Sequence, residues 1–196
     1  MTQTDIDLPQ VQSGTLADKQ KTADLRTSEM VALWTIRAWI YQNVVCDNAV
    51  DLTGVWTTRD CSKATQSFNA GLIHAGCPEA SDAFATFLGI ICAAGSTQVK
   101  IHAANCANIS DDEKRLLHTL AALQLGHTLE AFDILTHLLP GAAVRIALSH
   151  AESAAMGLAR AGLFLPDRTW KLKELSLTHR LRAPSAGAAC VRYMIH

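Results

Sequence analysis

The sequence contains no Cys-x-x-Cys pair, no P-loop, no dinucleotide fingerprint, no nucleophile elbow and no His-Glu-x-x-His run. These are the local signatures of redox dithiols, nucleotide sites, α/β-hydrolases and zinc peptidases, so none of those classes is indicated. Aromatic residues make up 6% of the chain and charged residues 18%, and the formal net charge is -1. So balanced a charge gives no global attraction to nucleic acid or to an acidic membrane surface. The longest apolar stretch, Met30 to Val45, is broken by Arg37, Gln42 and Asn43, and falls short of the ~20 apolar residues that a spanning helix needs. Residues Met1 to Asp5 lack the basic start and apolar run of an export signal, so a cytoplasmic protein with no membrane partner is expected.

What is present is 196 residues, 49% hydrophobic, rich in alanine. That length supports one hydrophobic core, and alanine favours helices that approach one another closely. The expected fold is mainly α: a single-domain bundle of about six helices, with a small C-terminal β-hairpin as an added element. The chain divides into an N-terminal arm (1–25) poor in large apolar side chains, a helical domain (26–166) and a basic C-terminal segment (167–196) packed on it. The six cysteines are scattered and, in a reducing compartment, read as small packing residues rather than a disulfide framework.

Helices are predicted over 28–45, 59–74, 78–94, from Ser110 onward, and over 142–161. The best-marked boundary is Ser110-Asp111-Asp112-Glu113, which has capping-box spacing. Leu116, Leu117, Leu120 and Leu123 follow at helical period, and Gly126 separates them from a second run of Leu129, Phe132, Leu135 and Leu139 that ends at Pro140-Gly141, the pattern of a helical hairpin. Gly76 and Gly162 mark two other helix ends. Residues 96–108 satisfy both patterns, since Val99 and Ile101 alternate like a strand while the following alanines favour helix. After Pro166, apolar residues recur at period two, as in a ribbon.

Four groups of residues carry candidate chemistry. Arg37 lies in the most apolar helix with Trp34 and Tyr41 at three and four residues; a buried guanidinium needs a counter-charge, for which Asp47, Asp51 and Asp60 are available, and the trio is an anion-binding candidate. His74 with Cys77, and His102 with Cys106, together supply the four ligands of a zinc site. No other cofactor is indicated. His127, Glu130, Asp133 and His137 lie opposite the apolar stripe of their own helix and read as its solvated face, as does His118 on the preceding helix. Lys171, Lys173, Arg180, Arg182 and Arg192 belong to a stretch that, from Arg168 onward, is opposed only by Glu174, a candidate for phosphate contacts.

The leading functional expectation is a soluble, non-enzymatic helical protein of regulatory or adaptor type, whose partner is another protein or a second copy. A metal- or thiol-based sensor built on the His/Cys pairs and a nucleic-acid contact through the basic segment are the alternatives.

Overall fold

The computed structural model describes residues 21–45, 61–95, 99–168 and 170. Among them are six α-helices: α1 (Thr27–Ile40), α2 (Cys61–His74), α3 (Ala80–Ala94), α4 (Asp111–Gln124), α5 (Thr128–Leu135) and α6 (Gly141–Arg160). A 3₁₀ turn, Thr22–Asp24, precedes α1, and a π turn, Tyr41–Val45, continues it. The expected bundle is therefore the observed fold class. The described residues include no strand, only an isolated antiparallel bridge between Lys21 and Asn108. Of the ribbon expected after Pro166, only residues 167, 168 and 170 are described, and most of it, like most of the N-terminal arm, lies outside the described residues. No helix among the described residues is long and apolar enough to cross a membrane.

Sequence explains most helix boundaries. Ser110 Oγ accepts from the Glu113 backbone N–H at 3.1 Å and the Glu113 carboxylate accepts from the Ser110 N–H at 2.7 Å, the reciprocal pairing that the spacing predicts. Gly126 and Gly162, with φ of 77° at each, end α4 and α6 in the left-handed conformation that glycine adopts without steric cost. α1 starts at Thr27, one residue before the predicted position. Its cap is Arg26, whose N–H donates to Glu29 Oε2 at 2.7 Å, which frees the Ser28 hydroxyl to donate to the Phe164 carbonyl at 2.7 Å.

The core runs through all six helices. α3 and α6 share the most extensive interface, and α4 packs on both α5 and α6. On α3, Phe84, Phe87, Leu88 and Ile91, which recur at helical spacing, form a buried stripe, and Leu116, Leu117, Leu120 and Leu123 of α4 are buried as well. Ala147, Ala151, Ala154, Ala155 and Gly157 form the inward face of α6. A Cβ at Gly157 would lie 2.7 Å from the Cβ of Ala80, so the start of α3 touches α6 where α6 has no side chain.

Of the segment left ambiguous by its pattern, the described residues 99–108 are neither helix nor strand. Val99 and Ile101 alternate inward, at 0% and 2% exposure, but the intervening N–H of Lys100 and that of His102 donate to Asp112 Oδ2 and Glu113 Oε1 at 2.8 and 3.0 Å. Side chains from the first turn of α4 thus take the hydrogen bonds that a neighbouring strand would have taken. The chain is extended locally without belonging to a sheet.

Candidate functional site

Arg37 is 3% exposed and Glu113 is fully buried. Arg37 Nε donates to Glu113 Oε1 at 2.7 Å and Nη2 to Oε2 at 3.1 Å, a bidentate pair. Nη1 donates to the Cys106 carbonyl and Nη2 to the Asn108 carbonyl, each at 2.8 Å. Glu113 in turn accepts from the backbone of His102 and Ser110. His102 Nδ1 lies 3.0 Å from the Asn108 carbonyl and 3.4 Å from Glu113 Oε2. Both neighbours are acceptors, so this nitrogen carries the proton. One carboxylate therefore ties α1 to the loop before α4, and its charge and that of Arg37 are matched inside the protein.

The counter-charge of Arg37 is Glu113, 76 residues away; Asp47, Asp51 and Asp60 lie outside the described residues. Trp34 stands beside Arg37 in the wall of a cavity of about 220 Å³, together with Thr22, Met30, Leu33, Ala104, Asn105 and Cys106. Tyr41, the third member of the candidate trio, begins the π turn and is 45% exposed. Arg168 makes the cation–π contact that the structure shows, 5.7 Å above Trp170.

The proposed zinc ligands occupy different settings. His74 ends α2 in solvent, Cys77 is buried between α2 and α3, and His102 and Cys106 belong to the loop before α4. Among the described residues, no three His, Cys, Asp or Glu side chains are grouped so as to hold a metal ion. Burial, and secondarily the Glu79 carboxylate, push the Cys77 thiol above its ordinary pKa. The neutral thiol thus favours the fold: this contribution is complete below the unfolded thiol's pKa and fades as pH rises through the folded one. Alkylation of native protein at pH 8 should accordingly spare Cys77 while the half-buried Cys106 reacts, with Cys77 labelled only after unfolding, as peptide mapping would show. Lys171, Lys173, Arg180, Arg182 and Arg192 lie outside the described residues, and Arg168 is already engaged, its Nε 2.6 Å from the buried Glu29.

Pattern reading missed the arrangement at the end of the bundle where α4 stops, α5 starts and the chain leaves α6. Leu129 was expected on the buried stripe of α5, yet it is 83% exposed. The inward positions are Ala131, Ile134 and Leu135. α5 has eight residues, and Leu129 lies in its first turn. Conversely, His118 is not a surface side chain: it is 15% exposed and its Nε2 lies 3.0 Å from Glu130 Oε1, because α5 folds back over it. Phe164 is 66% exposed and Leu125 50%. The backbone around Phe164 is fixed nonetheless. Gln124 Nε2 donates to the carbonyls of Ala155 and Leu163, both at 3.0 Å, its Oε1 accepts from the Leu165 N–H at 2.7 Å, and Ser28 holds the Phe164 carbonyl. A single half-buried amide thereby joins α4, α6 and the strap that follows α6 (residues 163–165), whose Phe164 ring stands out in water.

Comparison with protein families, with curated proteins and with solved structures finds no match to this chain.

Proposed function

We propose that this helical protein works by contact with another protein, through the apolar end formed by Leu125, Leu129 and Phe164. The observation that carries the reading is the clamped Phe164. Three hydrogen bonds order residues 163–165, and the ring presented there remains largely in solvent. Ordered apolar side chains bind at a lower entropic cost than mobile ones, and clustered exposed apolar residues mark interaction surfaces. Glu130 and Asp133 follow Leu129 by one and four residues and Asp167 follows Phe164 by three, and all three carboxylates are exposed. A partner segment that is apolar and flanked by basic side chains fits that setting.

Leu129→Glu and Phe164→Glu test the reading, since both side chains are exposed and their replacement should leave stability within about 0.5 kcal/mol of wild type. Wild-type protein in native extract is expected to elute within a larger complex, and both variants as the free chain. Identical elution of wild type and folded variants would count against the proposal.

A further inference from the structure

We propose that the cavity between α1 and the loop before α4 binds a small, uncharged, flat molecule that offers a carbonyl or hydroxyl oxygen. The site is separate from the apolar end and does not depend on it. Met30, Leu33, Trp34 and Arg37 stand at spacings of three, one and three along α1, which places them on one face of the helix. That face forms one wall of the cavity, and the turn carrying Asn105 and Cys106 forms another.

Size and shape come first. The pocket is open to solvent on one side, and its volume of about 220 Å³ exceeds the ~150 Å³ of the enclosed apolar cavity that holds a benzene ring. A single ring with one substituent therefore fits. The Trp34 ring is pressed against α2 at Gly71, where a Cβ would overlap its six-membered ring. It is thus backed by main chain, so it offers the cavity a fixed surface rather than a mobile one. An indole and a thioether are both favourable neighbours for a flat ring.

Charge selects among flat molecules. The guanidinium has five N–H donors; four are accounted for by Glu113, Cys106 and Asn108. The remaining donor belongs to Nη1, on a side chain that lines the cavity. A ligand oxygen that accepts from it would complete the set. A carboxylate or phosphate would instead meet a cation already neutralised, with the Glu113 carboxylate directly behind it, and like-charge proximity opposes binding. Arg37 in this setting is a hydrogen-bond donor whose charge is already compensated by Glu113, and the preferred ligand is an amide, ketone or alcohol on an aromatic or similarly flat body.

The test uses benzamide and its anionic counterpart benzoate on the full chain. Benzamide is expected to shift the Trp34 indole resonance saturably and to slow alkylation of Cys106. Benzoate should bind at least tenfold more weakly. Ala104→Phe, at an exposed position of the cavity rim, fills the space from the loop side and should abolish the benzamide shift while the rest of the spectrum stays folded. Equal or tighter binding of benzoate would overturn the proposal. So would the absence of a saturable benzamide shift, or of any Cys106 protection in the wild-type protein, a readout that does not depend on the variant folding.

Discussion

Glu113→Gln is expected to lower the unfolding free energy by about 3–5 kcal/mol, the usual consequence of stripping a buried charge of its partner. The amide is close in size to the carboxylate, so the loss would come from electrostatics and hydrogen bonding rather than from a void. Arg37, at 3% exposure, would keep its positive charge but lose the opposing negative one, and the amide NH2 would stand donor to donor against one of the two guanidinium nitrogens that the carboxylate now serves. The N–H groups of His102 and Ser110 would in turn face an amide that can accept at only one of its two ends. Urea denaturation followed by far-UV circular dichroism measures the effect. The double variant Arg37→Met with Glu113→Leu should recover part of the loss because no charge is left buried. Recovery would be incomplete, since the backbone groups that the pair served remain without partners.

Gly157→Val is expected to cost about 3 kcal/mol for a different reason. The Cβ alone would sit 2.7 Å from the Ala80 Cβ and 3.2 Å from its Cα, so α3 and α6 must separate. Overpacking of this kind costs ~1–3 kcal/mol, and a β-branched side chain, which has few rotamers in a helix, can do little to relieve it. The α3–α6 contact is the most extensive in the bundle, so the strain is not local. Thermal unfolding would register it. A second substitution at the same contact, Ala80→Gly, removes the struck methyl group and should return part of the stability despite glycine's cost near a helix start.

How far the fold could be read from sequence depended on the range of the interaction. Features decided within one helical turn were legible. The Ser110–Glu113 cap, the glycines that close α4 and α6, and the stripe of α3 each depend on neighbours three or four residues apart. Features decided by tertiary packing were not. Arg37 visibly required a counter-charge, but the residue that supplies it is already part of a cap signal, and nothing local showed that one carboxylate would perform both tasks. Leu129 sits at the correct phase of an apolar period and is nevertheless exposed, because periodicity states which face a residue shares and not whether a neighbouring helix extends far enough to cover it. His118 shows the converse, a polar side chain on the outer phase of α4 that α5 covers. Gln124 gave no signal at all: its role follows from the way α6 and the strap converge on the end of α4.

The central claim is that Leu129 and its neighbours face a partner protein. A photoreactive amino acid placed at position 129, compared with one at the exposed Ile146 of α6, tests it most directly when the crosslinked peptides are sequenced. The expected result is a strong crosslink from position 129 to an apolar, basic-flanked segment of another protein, and little from position 146. Crosslinks from position 129 only to residues of the same chain, or equal yields from both positions, would contradict the claim.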